Sequence, residues 1–138
     1  MNHAAVIAVC GRKNSGKTTL IEALIPKLAA RGVKVAVVKH HGHAFDPDVP
    51  GTDTWRFYQA GAVGTVISDD RCYMLSRRAE TGAGDLVALF PDADLVLLEG
   101  YRDAGYPKIE LDGLSYPDPD AVLGTLLRMM QEGRAETP

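Results

Sequence analysis

The sequence predicts an α/β fold in which a mostly parallel central sheet lies between layers of helix, and three observations carry that expectation. Residues 11–18 read GRKNSGKT, which fits the spacing G-x-x-x-x-G-K-[ST] without a gap, and they stand directly behind the apolar run Ala5 to Val9. Leu20, Leu24 and Leu28 then recur every four residues, joined by Ile21 and Ile25, so one broad face of the next segment is apolar at helical spacing. Further along, Leu95 to Leu98 form an unbroken apolar run that ends at Glu99 and Gly100, as expected of a strand covered on both faces. A strand, a glycine-containing loop and a helix in this order predict the three-layer fold of P-loop NTPases.

The first strand is expected at Ala5–Val9, because it is short and β-branched at Val6, Ile7 and Val9. A helix follows over Thr18–Arg31. Pro26 removes the donor to the Glu22 carbonyl and should loosen its last turns, while the pattern from Lys27 to Arg31 carries the helix onward. Gly32 ends it, and Val33–Val38 supplies a second strand in a right-handed crossover. Residues 39–50 hold three histidines, two aspartates and a proline at each of two positions, which reads as a surface loop. Asp53–Ala60 is expected as a short helix capped by Thr52 or Asp53, followed by strands near Thr65–Ile67 and Cys72–Leu75 around an Asp69-Asp70 turn. Gly84–Phe90 reads as a short helix, Asp94–Glu99 as a strand and Lys108–Leu111 as a further short one. The last helix spans Asp120–Gln131, with Val122, Leu123, Leu126, Leu127 and Met130 as its apolar stripe.

A chain of 138 residues is enough for one domain with a real core, so residues 1–138 are expected to form a single nucleotide-binding domain. The formal charge of -3 offers no electrostatic footprint for nucleic acid. No apolar stretch approaches the roughly 20 residues of a membrane span, and the amino terminus lacks a signal-peptide pattern, so a cytoplasmic protein is expected. Cys10 and Cys72 belong to no C-x-x-C pair, and each is expected as a small buried hydrophobe.

The loop carries the chemistry. Gly11 and Gly16 permit tight turns that aim backbone amides at a polyphosphate; Lys17 brings a point charge, and the Thr18 hydroxyl suits magnesium at a helix start. Glu99 is expected at an exposed strand end, at the sheet edge where open α/β sheets place their ligands, which suits a carboxylate holding magnesium-bound water or polarising an attacking water. In KHHGHAFDPD, residues 39–48, Asp46 and Asp48 are hard oxygen donors for the same ion, and Lys39 and His40 lie near enough to the strand to touch phosphate. His40, His41 and His43 lack the cysteines or the helical spacing of a zinc site. Trp55, Phe57 and Tyr58 read as packing residues, and Arg102 and Lys108 read equally as phosphate contacts or as surface charge.

Taken together, these blocks resemble the molybdopterin-guanine dinucleotide biosynthesis adapter proteins, the MobB family. The resemblance rests on GRKNSGKTTL (Gly11 to Leu20), VKHHGHAFDPD (Val38 to Asp48), GTDT (Gly51 to Thr54), QAGA (Gln59 to Ala62), LVLLEGY (Leu95 to Tyr101) and PKIEL (Pro107 to Leu111). It implies a GTP-binding adapter with weak, magnesium-dependent GTP hydrolysis. Such a protein acts beside the MobA-like guanylyltransferase that attaches GMP to molybdopterin, with molybdopterin as a further candidate ligand, and is a homodimer whose sheets associate. By the same resemblance Gly11, Asn14, Ser15, Gly16, Lys17, Thr18 and the adjoining Thr19 hold GTP and Mg2+. Lys17 and Glu99 then carry what catalysis there is, while Asp46 and Asp48 belong to the metal side. The chain departs from the family pattern at Gly42, where a further His is common, at Thr52, where a Lys is common, and after Leu111, where a strand is missing before the last helix. Two other activities fit the loop alone: a small-molecule kinase with Arg71, Arg77 and Arg78 on a lid, and a scaffold that binds nucleotide without meaningful turnover.

Overall fold

A computed structural model of the chain describes residues 3–135. In chain order its elements are β1 (Ala5–Cys10), α1 (Lys17–Ala29), β2 (Val35–Lys39), α2 (Asp53–Gln59), β3 (Gly64–Ser68), β4 (Tyr73–Arg77), α3 (Ala83–Val87), β5 (Leu95–Glu99), β6 (Lys108–Glu110) and α4 (Pro119–Ala135). Every expected element is present, with ends displaced by a few residues. The elements fall into two compact units, one comprising the described residues up to His40 and from Gly82 onward, the other His41–Thr81.

The first unit is built on a four-stranded parallel sheet in the order β2-β5-β1-β6. Its two inner strands explain the apolar runs: Ile7 to Cys10 and all of β5 are buried. Alternation along β5 divides the core. Leu95 and Leu97 face Leu20, Leu24 and Leu28 of α1 and Leu123, Leu126 and Met130 of α4, whereas Val96 and Leu98 face Val38, Ala8 and Ala83. Helices on one face and α3 on the other make the three layers. The helix α1 runs through Pro26, which lies on its exposed side with Glu22, so the carbonyl that the proline leaves without an amide donor faces water. Gly32, at φ 75°, closes the helix, and the Val33 amide donates back to the Leu28 carbonyl at 3.1 Å.

Register fixes what stands at the sheet's carboxyl edge. Lys39 is level with Glu99, and Glu99 with Val9, so the ends of β2, β5 and β1 meet just below the loop that opens at Gly11.

The second unit is an antiparallel hairpin, β3-β4, paired from Gly64 with Arg77 to Ser68 with Tyr73, together with α2. The Asp69 side chain accepts from the Arg71 and Cys72 amides at 2.7 and 2.9 Å and so closes the turn; these bonds, that of Arg71 first, hold its carboxyl below the ordinary value. The Arg78 guanidinium lies 3.6 Å over the Tyr58 ring and donates to the Tyr58 and Ala62 carbonyls. No residue of 41–81 is buried. Cys72 is therefore exposed rather than the buried hydrophobe expected, because nothing in its unit covers the hairpin, while Cys10 is buried as expected. Among the described residues no helix is long and apolar enough to cross a membrane.

Candidate phosphate and magnesium site

The loop between β1 and α1 takes the conformation its glycines allow. Gly16 sits at φ 94° immediately before the helix, in the left-handed region that disfavours a side chain, and Asn14 at φ 64° uses the tolerance of asparagine for the same region. At Gly11 the constraint is space: a Cβ there would stand 2.5 Å from Ser15 Oγ and 3.2 Å from Leu111 Cβ. Ser15 itself is 6% exposed, and its Oγ has no hydrogen-bond partner among the described residues. Lys17 folds back across its own loop and donates to the Gly11 carbonyl at 2.7 Å.

Glu99 is the second half of the site. Period-two alternation along β5 puts it on the same face as Leu95 and Leu97, the face that α1 covers, and so its carboxylate meets the helix start. Thr18 Oγ1 donates to Glu99 Oε1 at 2.9 Å, and Lys39 Nζ reaches the same oxygen at 3.3 Å. Glu99 is 7% exposed, a buried carboxylate and not the exposed strand end anticipated from sequence, because the first turn of α1 closes over it. The His40 amide donates to the Glu99 carbonyl, and the His40 ring lies 5.1 Å from that of Tyr101, whose hydroxyl burial pushes up in pKa. Cys10, beside them, donates to the Gly100 carbonyl; burial, and then the Glu110 carboxylate, raise its thiol pKa and keep it protonated.

Gly11, Ser15, Gly16, Lys17, Thr18, Lys39, His40 and Glu99 are thus gathered at one sheet edge, with Asn14 and Thr19 in the same loop and helix start. The donor set fits a polyphosphate and a hard divalent cation: a loop too tight for a Cβ at Gly11, a buried hydroxyl without a partner, and a hydroxyl and a carboxylate side by side. Asp46 and Asp48 lie in the other unit and are engaged within it. Asp46 accepts from the Asp48 amide at 3.2 Å and from Trp55 Nε1 at 3.0 Å. Hydrogen bonds from the Thr54 hydroxyl and then the Val49 amide hold the Asp48 carboxyl below its usual range. Among the described residues no three His, Cys, Asp or Glu side chains cluster as a metal site. Arg102 pairs with Glu110, and Lys108 donates to the Arg102 carbonyl, so both cations are spent on local structure.

One contact was not foreseen. Tyr116 and Pro117 lie against Gly16, with Tyr116 Cδ1 3.4 Å and Pro117 Cδ 3.7 Å from the position a Cβ would take there. A tyrosine inside a proline-rich turn was the available signal, but nothing local ties residues 115–117 to residue 16.

Comparison with known protein families matches residues 6–122 to the family described as Molybdopterin guanine dinucleotide synthesis protein B. The chain is similar to the molybdopterin-guanine dinucleotide biosynthesis adapter protein of Haemophilus influenzae, 37% identical over 80% of this chain and 64% of the relative. It is also similar to that of Escherichia coli, 32% identical over 86% and 72%. The chain therefore spans less than two thirds of the Haemophilus protein. The crystal structure of Bacillus subtilis MobB superposes with a TM-score of 0.68 at 34% identity, covering 78% of this chain and 67% of that one.

Proposed function

The chain belongs to the molybdopterin guanine dinucleotide synthesis protein B family, and from that premise we propose that it is a magnesium-dependent GTP-binding adapter in molybdenum cofactor assembly, working in the cytoplasm as one nucleotide-binding domain. Its partner is the guanylyltransferase that attaches GMP to molybdopterin. The observation that carries the nucleotide reading is the Thr18–Glu99 hydrogen bond at the mouth of the GRKNSGKT loop, because a loop hydroxyl beside a strand-end carboxylate is the pair that holds magnesium against a bound triphosphate. Lys17 and the loop amides from Asn14 to Thr19 hold phosphate oxygens, and Lys39 and His40 flank them. The magnesium ion, when bound, offsets phosphate charge.

Hydrolysis is slow in this reading because the carboxylate among the gathered side chains, Glu99, already accepts from Thr18 and Lys39. Of the arginines the kinase alternative would place on a lid, Arg77 lies within β4 and Arg78 is committed to Tyr58 and Ala62, while Arg71 sits in the turn between β3 and β4. Calorimetry tests the assignment. GTP is expected to bind more tightly than ATP, and more tightly with magnesium than without; equal affinity for the two nucleotides would remove guanine from the reading and leave the phosphate site.

The homodimer forms through the hairpin. Val63, Val66, Ile67, Tyr73, Met74 and Leu75 are 49–78% exposed on a two-stranded sheet, an element that is marginal in water by itself and presents unpaired strand edges. Sedimentation velocity is expected to give a dimer for the native chain and a monomer of unchanged secondary structure for Val66→Asp. A native chain that sediments as a monomer would overturn this arrangement.

A further inference from the structure

The loop is flanked along its length by the segment that follows β6. The Leu111 amide donates to the Cys10 carbonyl at 2.8 Å, Leu111 Cβ abuts the Gly11 position, Gly113 approaches Ser15, and Tyr116 with Pro117 covers Gly16. Residues 111–117 therefore form a strap that runs beside residues 10–16. Asp112 shapes it by accepting from the Leu114 amide at 2.8 Å and the Ser115 amide at 3.4 Å, and the prolines at 117 and 119 restrict the backbone around Tyr116. Tyr116 nevertheless remains 84% exposed: an edge of its ring rests on the loop and most of its surface is open.

Sheet order decides which end of a nucleotide meets this ring. In β2-β5-β1-β6 the loop leaves β1, with Glu99 and Lys39 on the β5 and β2 flank and the strap on the β6 flank. The cation side, and with it the outer phosphates, belongs to the first flank, so the nucleoside end leaves the loop toward the second. We propose that Tyr116, carried on the strap from Asp112 to Pro117, is the nucleobase platform of the site, stacking its ring against the purine. This rests on the phosphate-site reading given above. A π-face accepts guanine and adenine alike, so the ring supplies affinity for a purine and no choice between the two.

Binding of inorganic tripolyphosphate, which has no base, separates this role from mere support of the loop. Calorimetry on the full chain with magnesium is expected to show that Tyr116→Ala weakens GTP and ATP by a common factor of about tenfold, leaves tripolyphosphate affinity unchanged, and is rescued by Tyr116→Phe. In Tyr116→Trp the added indole fluorescence is expected to be quenched by GTP and not by tripolyphosphate. Equal weakening of all three ligands in Tyr116→Ala would make the ring a support for Gly16 and overturn the proposal, as would no change for any of them. Should the native chain bind neither GTP nor tripolyphosphate, the phosphate site itself falls and the platform with it; tripolyphosphate binding with an unchanged GTP affinity in Tyr116→Ala would sink the platform alone.

Discussion

Lys17→Ala is expected to remove measurable GTP binding while leaving the fold intact. The Lys17 ammonium spends one donor on the Gly11 carbonyl at 2.7 Å, which anchors it across the loop and leaves its other donors for phosphate oxygens. Charge-assisted hydrogen bonds contribute about 1.5–3 kcal/mol each, so losing two of them weakens binding by at least about a hundredfold. Stability should change little, since the packing of α1 depends on Leu20, Leu24 and Leu28, which the substitution does not touch. Calorimetry with GTP and magnesium, beside a thermal melt, checks both halves. The same variant separates an adapter that needs nucleotide from a scaffold that does not: loss of association with the guanylyltransferase supports the former, and undiminished association the latter.

Glu99→Gln is expected to abolish the response to magnesium and leave magnesium-free GTP affinity at its native value. The substitution keeps the volume of a side chain that is 10% exposed in the space beside α1, and its amide oxygen can still accept from Thr18. What disappears is the negative charge a divalent cation requires. Lys39 loses its ionic partner, but its side chain is 56% exposed and water compensates it, so the cost in stability should be about 1 kcal/mol or less. Titration of GTP into the variant with and without magnesium reads the effect. A native response to magnesium in the variant would make Glu99 an anchor for the first turn of α1 and place the cation elsewhere.

Much of this site is legible in the sequence because its chemistry is local. A phosphate loop needs its glycines, lysine and hydroxyl at fixed spacing within one turn of chain, so GRKNSGKT announces Gly11, Lys17 and Thr18 together. Buried parallel strands are apolar on both faces, so Leu95 to Leu98 marked β5 and placed Glu99 at its end. Helical spacing identified the core faces of α1 and α4 in the same way, and the family blocks directed the loop toward guanine nucleotide and molybdenum cofactor assembly. Even the short span after Leu111 could be seen, as a strand that is missing.

Partnership across the chain could not be read in this way, because it depends on strand order and register, which no single segment encodes. That Lys39 and Thr18 converge on one oxygen of Glu99 follows from the pairing of β2 with β5 and from the face that α1 covers. The burial of Glu99 and the exposure of Cys72 have the same origin: a helix closes over one, and the unit containing the other has no core. The sequence by itself determined the phosphate loop, the strand that delivers the carboxylate and the family. Only the tertiary structure decided that residues 111–117 lie along that loop and bring Tyr116 to Gly16, because a contact between residues 100 apart in the chain is made by the order of strands in the sheet and leaves no local pattern.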